Sequence, residues 1–510
     1  MINTLIQKIV SKRLPQIENF MKNPIEVQEQ VFINLIKDSQ DTVWGKYYDY
    51  ASIQNWQTFN QRIPVNDYES LTPFFNRIRS GENNVLWNSQ IKWFSKSSGT
   101  TGSKSKFIPV SEEALNDCHY KGGKDMLTLY CHNYPENKLF DGRSLALGGS
   151  RQENPFNDEI FCGDVSAIII DNLPLWAELY RVPNKDIALM PDWEEKLKLM
   201  VQSVTTANVA SLSGVPSWMM VLLKAVLEHS GKQKIMEVWQ NLEVYFHGGV
   251  SFAPYRTQFE HIIGKHINYM ETYNASEGFF GLQDRKDDNS LLLLLDYGIY
   301  YEFIATDDPQ QKVINLSEVE TGKNYAMLIS TNAGLWRYKI GDTISFTHTT
   351  PYRFKITGRT KHFINACGEE VIVDNATKAL DAACRATNAI ISEYTAAPMF
   401  GDTYCHQWLI EFEKEPDDLH QFADVLDRTL QSINSDYEAK RYKDMVLKFP
   451  VVQQVPPQTF YNWLKRKNKL GGQHKIPRLF NTREYIDEIL AKENKNIIKG
   501  FNSFFCTFPL

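Results

Sequence analysis

Hydroxyl, glycine and lysine residues are concentrated in one short stretch of the chain, from Ser97 to Lys106. Glycines let a backbone approach an anion closely and turn its N–H groups toward it. The side chains of Ser97, Ser98, Thr100 and Thr101 add hydrogen-bond donors, and Lys106 adds positive charge. This composition predicts a loop that holds a triphosphate, although a polar surface loop would have the same composition.

The stretch differs from the two commonest nucleotide-binding motifs. No Gly-Lys pair in the chain is followed by Ser or Thr, which excludes a Walker A loop. No two glycines stand at positions i and i+2, which excludes the dinucleotide-binding fingerprint. The chain also lacks His-Glu-x-x-His and Gly-x-Ser-x-Gly, so a zinc hydrolase or a serine hydrolase is disfavoured.

A second polar motif, Tyr273 to Gly278, follows a strand-like run of residues. The ring of Tyr273 could stack on adenine, Ser276 offers a hydroxyl, and the Glu277 carboxylate suits Mg²⁺. A metal ion that phosphates already hold requires only one or two protein carboxylates. The motif therefore predicts a contact with a metal-bound nucleotide.

Three further positions carry residues suited to nucleotide chemistry. Gly248 and Gly249 follow His247 at the end of a strand-like run, where open α/β sheets place ligands, although a plain strand-to-helix turn explains the pair equally well. Asp342 follows a glycine, and Arg359 could add a charged contact to a ribose or phosphate. Near the C-terminus, two glycines precede Lys475 and would present its charge on a mobile segment.

The order and spacing of these motifs resemble the adenylate-forming enzymes, which join carboxylic acids to AMP. Within that superfamily the strings are most similar to the GH3 family of acyl acid amido synthetases, in its bacterial form. The matching residues are Ser97 to Thr100, Lys106, Pro109, Tyr273 to Gly278, Gln473, Lys475, Pro477 and Arg478. Thr101 departs from the serine of the plant proteins.

The resemblance implies a role for each motif. The loop that contains Ser97, Ser98, Thr100, Thr101 and Lys106 would hold the triphosphate, and Gly248 and Gly249 would lie against the adenine face. Asp342 would accept hydrogen bonds from the ribose hydroxyls, with Arg359 nearby. Glu277 would bind Mg²⁺, and Lys475 would neutralise oxygen charge while the carboxylate attacks the α-phosphate.

The function implied is ligation in two steps. A carboxylic acid and MgATP would give acyl-AMP, and an amine, expected to be an amino acid, would then take the acyl group to form an amide. Thioester formation with coenzyme A is an alternative, because the ATP motifs do not specify the acceptor. An inactive nucleotide-binding scaffold is a second alternative, disfavoured because a binder needs neither Lys475 nor Glu277.

Bulk properties restrict the partners and the compartment. The net charge is −6, and the sequence suggests no basic face that would bind nucleic acid, so small-molecule substrates are the expected partners. No apolar run approaches the ~20 residues of a membrane span, and no protein partner is evident. The seven cysteines are scattered, which argues against a disulfide framework and favours the cytoplasm.

Short strand-like apolar runs alternate with helical stretches in the N-terminal part, which predicts an α/β fold with doubly wound layers. Strand-like runs are predicted at 144–147, 207–212, 242–246 and 267–273, and helices at 112–130, 192–205, 217–229 and 254–263. Strands without helices at 291–295, 299–304, 325–330 and 343–346 predict a small antiparallel or barrel-like unit.

The remaining chain predicts a smaller α+β domain. Its helices are expected at 375–387 and 419–433, and its strands at 406–413 and 445–452. The resemblance implies an N-terminal adenylate-forming domain over 1–357, a hinge near 358–361 and a mobile C-terminal lid over 362–510.

Overall fold

The computed structural model describes residues 11–97, 106–152, 160–249, 252–359, 363–364, 369, 371–399, 404–441, 447–471 and 475–491. They form two compact units. The N-terminal unit extends to Phe252, resumes over Phe259–Thr357 and includes Gly471, and the C-terminal unit comprises Ala253–Gln258, Gly358–Leu470 and residues 475–491.

The helices of the chain up to residue 263 flank the sheets and begin at the N-terminus. They are α1 (Leu14–Lys22), α2 (Pro24–Ser39), α3 (Val43–Tyr47), α4 (Trp56–Arg62), α5 (Tyr68–Arg79), α6 (Glu112–Ala114), α7 (Lys121–Asn133), α8 (Val165–Asp171), α9 (Leu175–Tyr180), α10 (Lys185–Ala188), α11 (Trp193–Thr205), α12 (Pro216–Ser230) and α13 (Ala253–Ile263). A π-helical segment, Leu115–Tyr120, joins α6 to α7. Short 3₁₀ turns occur at Ser11–Arg13, Tyr50–Ser52, Leu139–Asp141, Ile235–Glu237 and Leu316–Glu318.

The strands up to residue 359 form two sheets. They are β1 (Trp93–Ser97), β2 (Lys106–Val110), β3 (Arg143–Ala146), β4 (Arg151–Gln152), β5 (Phe161–Gly163), β6 (Arg181–Val182), β7 (Val209–Gly214), β8 (Val244–Gly248), β9 (Asn268–Ala275), β10 (Gly278–Leu282), β11 (Leu291–Leu293), β12 (Ile299–Ala305), β13 (Val313–Asn315), β14 (Asn324–Thr331), β15 (Tyr338–Thr349) and β16 (Tyr352–Arg359). The small sheet has the order β2-β1-β5-β4, and the large one β13-β12-β14-β15-β16-β11-β10-β9-β8-β7-β3-β6.

The large sheet changes character along its length. Strands β6, β3, β7, β8 and β9 pair in parallel; helix α11 leads into β7, α12 connects β7 to β8, and α13 connects β8 to β9. The pairs β9–β10, β10–β11, β11–β16, β12–β14 and β14–β15 are antiparallel. The predicted barrel-like unit is therefore continuous with the doubly wound sheet and is not a separate layer.

Caps explain where the crossover helices begin and end. The Asp192 side chain accepts a hydrogen bond from the Glu195 amide at 2.8 Å and starts α11. Pro216 occupies the first turn of α12, where its missing N–H costs nothing, and Gly231 ends that helix with a φ of 66°.

The N-terminal helices are tied to the large sheet by a buried ion pair. Arg337 Nε lies 2.9 Å from Glu302 Oε2, and both side chains are almost fully buried. Arg337 also donates to the Ile63 carbonyl at 2.6 Å, and Trp56 Nε1 donates to Glu302 Oε1 at 2.8 Å. The pair therefore joins α4 and the chain after it to strands β12 and β15.

The C-terminal unit is α+β. Its elements are β17 (Phe363–Ile364), β18 (Val371–Ile372), α14 (Val373–Thr387), β19 (Ile390–Met399), β20 (Cys405–Lys414), α15 (Leu419–Ile433), α16 (Ser435–Arg441), β21 (Val451–Val455), α17 (Thr459–Arg466) and a helix over 484–491. The sheet order is β19-β20-β21, with β19 and β20 antiparallel and β20 and β21 parallel. Its core includes Leu380, Trp408 and Leu426.

The predicted α/β class and layers are confirmed. Most predicted strands shift by one or two residues because hydrogen bonding to neighbours, rather than side-chain alternation, sets their ends. The strand predicted at 445–452 is wrong over 447–450, since β21 begins at Val451, where it pairs with Gln407. Residues 445 and 446 lie outside the described part of the chain. Among the described residues, no helix has the length and apolar character needed to cross a membrane.

We expect Arg337→Met to lower the free energy of unfolding by about 3–5 kcal/mol, because it leaves the Glu302 carboxylate buried without its cation. Urea titration followed by tryptophan fluorescence measures this change. The control is Arg77→Gln, which breaks an exposed pair with Glu82 and should change the free energy of unfolding far less. Equal losses in the two variants would contradict the anchoring role of Arg337.

Candidate functional site

A β-hairpin delimits the Ser/Thr/Gly-rich loop. Strands β1 and β2 pair antiparallel, and Ser97 stands opposite Lys106 at the open end of the ladder. Ser98, Thr100 and Thr101 lie outside the described residues, as does the side chain of Ser97. The pairing brings the two ends of the loop side by side.

Lys106, the first residue of β2, lies next to helix α5. Its Nζ lies 5.5 Å from the centre of the Tyr68 ring, within cation–π range. The Tyr68 hydroxyl in turn accepts a hydrogen bond from the Phe107 amide at 2.9 Å. Tyr68 follows Asp67, the N-cap of α5, which accepts from the Ser70 amide at 2.9 Å. A capped helix thus fixes the ring against which Lys106 packs.

Glu277 lies at the tip of a tight hairpin. Ala275 of β9 pairs with Gly278 of β10, which leaves Ser276 and Glu277 as the two turn residues. Ser276 is buried, whereas Glu277 is half-buried. A two-residue turn holds its backbone with little freedom, so the backbone at Glu277 has a defined position.

A buried histidine, His119, stabilises the hairpin that carries Glu277. His119, in the π-helical segment, donates through Nδ1 to Asn274 Oδ1 at 3.1 Å, and the Phe279 amide donates to Cys118 Sγ at 3.1 Å. Burial lowers the pKa of His119 to about 4, an effect that the bond to Asn274 only partly opposes. The imidazole is therefore neutral at physiological pH. π-Helical segments often occur at functional sites.

Asp342 is aimed inward by an irregularity in β15. Between the pairs Ala326–Thr343 and Leu328–Lys339, β15 contains more residues than β14, so it bulges. Gly341 within the bulge has a φ of 92°, which a side chain would disfavour. Asp342 is almost fully buried, and its Oδ2 accepts a hydrogen bond from the Tyr273 hydroxyl at 2.5 Å.

The Tyr273–Asp342 bond shows that the sheet curls. Strands β10, β11 and β16 separate β9 from β15, so a flat sheet would hold the two residues roughly 19 Å apart at the usual strand spacing. The ring of Tyr273 packs against Phe280 at a centroid distance of 5.0 Å and against Phe354 at 6.1 Å. These contacts bring Asp342 next to the motif from Tyr273 to Gly278.

Tyr338, four residues before Asp342, extends the cluster toward Glu277. Burial, followed by the nearby charge of Glu277, raises the pKa of the Tyr338 phenol. The backbone of Tyr338 lies beside Asn66: the Asn66 amide donates to the Arg337 carbonyl at 2.9 Å, and the Lys339 amide donates to the Asn66 carbonyl at 2.8 Å. Because the Glu277 charge acts on the Tyr338 phenol, the chain that leads to Asp342 lies near the hairpin that carries Glu277.

Gly248, the last residue of β8, and Gly249, which follows it, allow a close approach of backbones. Gly248 pairs with Thr272 of β9, and a Cβ at Gly248 would clash with the Thr272 carbonyl oxygen. Gly249 has a φ of 82°, in the left-handed region. Since Thr272 precedes Tyr273, both glycines lie beside the second motif.

Lys475 belongs to the C-terminal unit, and its side chain is half-buried. Three residues later, Arg478 forms an ion pair with Glu393 of β19, with 2.5 Å between Nη1 and Oε2. Arg359 ends β16, and its side chain lies outside the described residues. Within the N-terminal unit, Tyr273 is hydrogen-bonded to Asp342, Ser276 and Glu277 form the turn that follows, Gly248 pairs with Thr272, and Lys106 packs against Tyr68.

Sequence reasoning missed three residues that shape this site. Tyr68 and His119 lie far from the motifs in sequence, and nothing in their neighbourhood marks them. Asn274 lies inside the second motif, where its amide could have suggested a partner for a buried polar side chain.

We expect acid to destabilise the protein partly through His119. Its pKa is about 4 in the folded state and about 6.5 in an unfolded chain, so the unfolded state binds more protons between these values. Stability present above pH 6.5 should be lost as the pH falls toward 4, by about 3 kcal/mol from this group. Urea titrations at several pH values should show a shallower loss in His119→Gln. Parallel curves for the two proteins would contradict the assignment.

Family models account for most of the chain. The GH3 family N-terminal domain matches residues 13–267, the central domain 292–359 and the C-terminal domain 374–484. An indole-3-acetic acid-amido synthetase GH3.5 from Arabidopsis thaliana is 24% identical over 93% of this chain and 92% of the relative.

Solved structures share the fold. The GH3.15 acyl acid amido synthetase superimposes with a TM-score of 0.78 at 18% identity, covering 94% of this chain and 96% of that one. A 2-hydroxyisobutyryl-CoA ligase in the postadenylation state gives a TM-score of 0.60 at 14% identity, over 92% and 91% of the two chains. Because the three family models together match well over half of the sequence, this chain belongs to the GH3 family.

Proposed function

We propose that the protein is an AMP-forming ligase that activates a carboxylic acid with ATP and transfers the acyl group to an amine, most simply an amino acid. The observation that carries the proposal is the hydrogen bond between Tyr273 and Asp342, which joins two nucleotide motifs into one buried cluster. Family membership supports it, as does the similarity to amido synthetases of known name.

Each part of the cluster has a role in binding ATP. The hairpin loop that begins at Ser97 and ends at Lys106 would hold the triphosphate, and the Lys106 charge would offset phosphate charge. Asp342, held by Tyr273, would accept hydrogen bonds from the ribose hydroxyls. The backbone at Gly248 and Gly249 would pass against adenine, with Arg359 on the ribose or phosphate side.

The donor set fits a magnesium ion that arrives with the nucleotide. Glu277 supplies a half-buried carboxylate at a rigid turn, and hard oxygen ligands suit Mg²⁺. Within the described ranges, no three His, Cys, Asp or Glu side chains cluster as a metal site. An ion held mainly by phosphates needs no such cluster, and when bound it would neutralise charge on the phosphate oxygens.

The first half-reaction forms acyl-AMP. A carboxylate oxygen of the acid attacks the α-phosphorus of ATP, a P–O bond to the β-phosphate breaks, and pyrophosphate leaves. Lys475 would stabilise the negative charge that develops on the phosphate oxygens. In the second half-reaction the amine nitrogen attacks the acyl carbonyl, AMP leaves with the C–O electron pair, and the nitrogen loses a proton.

The acceptor of the acyl group separates two candidate functions. The match to all three GH3 domain models favours an amide product. The shared fold with a coenzyme A ligase keeps thioester formation as the alternative. We infer a cytoplasmic location, where ATP is supplied, with the acid and the amine as partners. The C-terminal unit would act as a lid hinged near 358–361.

We expect ATP–pyrophosphate exchange that depends on a carboxylic acid, measured over a panel of aliphatic, aromatic and indole acids. Mass spectrometry after incubation with mixed amino acids and coenzyme A should then detect an amide and AMP. A thioester as sole product would establish the alternative function. No exchange with any acid, alongside ATP binding detected by thermal shift, would support a binding protein.

Removing the ribose contact should weaken ATP binding. We expect Asp342→Ala to raise the KM for ATP by about 10- to 100-fold, because an unpaired buried polar group costs about 1–3 kcal/mol. Tyr273→Phe removes only the hydroxyl that holds Asp342, so a smaller increase is expected. Tyr301→Phe is the matched control, since that buried hydroxyl donates to the Leu294 carbonyl at 3.1 Å and contacts neither motif. An unchanged KM in Asp342→Ala would contradict the ribose role.

A further inference from the structure

The segment after Lys475 is added to an edge strand of the C-terminal sheet. The Ala396 amide donates to the Arg478 carbonyl at 2.8 Å, and the Phe480 amide donates to the Ala396 carbonyl at 3.1 Å. Ala396 belongs to β19, which lies at the edge of the order β19-β20-β21. A segment paired in this way shares the rigidity of the sheet beside it.

Side chains reinforce the pairing at the same place. The Thr395 hydroxyl donates to the Pro477 carbonyl at 2.6 Å, and Thr395 is almost fully buried. The Arg478 guanidinium pairs with Glu393 through Nη1 and lies 4.5 Å from the centre of the Tyr394 ring. Three consecutive residues of β19, Glu393 to Thr395, thus contact the segment through their side chains or backbone.

Arg478 satisfies its donors inside the C-terminal unit. Besides the Glu393 pair, Nη2 donates to the Tyr255 hydroxyl at 2.8 Å, and Nη1 donates to the Tyr394 carbonyl at 3.0 Å. The Tyr255 hydroxyl donates to the second oxygen of Glu393 at 2.7 Å. A planar guanidinium that is held by a carboxylate, a phenol, a carbonyl and an aromatic face has one orientation available to it.

Arg478, Glu393 and Thr395 form an anchor that holds the chain just C-terminal to Lys475. Ile476, which is buried, and Pro477, whose ring fixes φ, are the two residues between Lys475 and Arg478. On the other side, residues 472–474 lie outside the described part of the chain. The hydrogen bonds of Arg478 and Thr395 therefore hold the backbone close to Lys475 from its C-terminal side.

We propose that Arg478 is a positioning residue for acyl-AMP formation: with Thr395 and Glu393 it holds the backbone at Lys475 so that the lysine charge is presented in one geometry. The inference rests on the proposed function, because it assigns Lys475 to the first half-reaction. Preorganised charge is effective only when it is placed accurately, and a misplacement of about 1 Å can cost about 100-fold in rate.

Half-reaction kinetics test the assignment. The first half-reaction is measured as pyrophosphate exchange, and the second as product formation from chemically made acyl-AMP and the amine. We expect Lys475→Ala to lose exchange by about 100- to 1000-fold. Thr395→Val and Arg478→Gln should lose exchange by about 10- to 100-fold through kcat, with the KM for ATP within a few-fold of wild type. All three should keep the second half-reaction within a few-fold of wild type.

Double variants and matched controls separate positioning from stability. Thr395→Val or Arg478→Gln combined with Lys475→Ala should lose no more exchange than Lys475→Ala alone, because the anchor acts through the lysine. Arg478→Lys should recover part of the loss. The controls are Thr387→Val, which removes a buried hydroxyl bonded to the Ala383 carbonyl at 2.8 Å, and Arg441→Gln, which breaks a buried pair with Asp427. Both controls should leave the ratio of the two half-reactions unchanged.

The outcomes distinguish the two levels of the proposal. If Lys475→Ala retains full exchange, the proposed role of Lys475 fails. If Lys475→Ala loses exchange while Thr395→Val and Arg478→Gln do not, or lose both half-reactions equally, the positioning role of Arg478 is overturned and the role of Lys475 stands. Additive losses in the double variants would likewise overturn it. Should Arg478→Gln fail to fold, Thr395→Val, which removes only one hydroxyl, decides the question.

Discussion

The hydrogen bond from Tyr273 to Asp342 depends on the curvature of the large sheet, and the candidate nucleotide site depends on that bond. The two residues belong to strands β9 and β15, which three other strands separate. Only a sheet that curls back on itself brings them within bonding distance, and the contact of Tyr273 with Phe280 and Phe354 fills the space inside the curl. Any change that flattens the sheet would separate the two motifs.

Irregular pieces of backbone set the positions of the residues that the curled sheet brings together. The bulge at Gly341 turns Asp342 inward, and the two-residue hairpin after Ala275 holds Glu277. His119 braces the hairpin through Asn274 from a π-helical segment, so the helices that begin at Glu112 are connected to the turn that bears the carboxylate. Each device uses a non-repetitive piece of backbone, which regular helices and strands would not supply.

In the C-terminal unit, too, hydrogen bonds to a strand hold the backbone beside a candidate residue. There Lys475 precedes a segment that pairs with β19, so the freedom of its backbone is limited from the C-terminal side. In both units a charged residue with a proposed catalytic or binding role is held by neighbours whose own polar groups are satisfied: Tyr273 for Asp342, and Glu393 with Thr395 for the segment after Lys475. Satisfied polar networks of this kind restrict side-chain geometry.

Periodicity and motif strings are local properties of the chain, so they predict the fold class, the alternation of β7, β8 and β9 with their helices, and the candidate residues. The folded structure is needed to establish that Tyr273 bonds to Asp342, that Tyr68 packs against Lys106, and that Arg478 is held by β19. It also decided that the predicted barrel-like unit continues the main sheet. These contacts join residues far apart in sequence, and their geometry follows from strand order, curl and bulges, which no local pattern records.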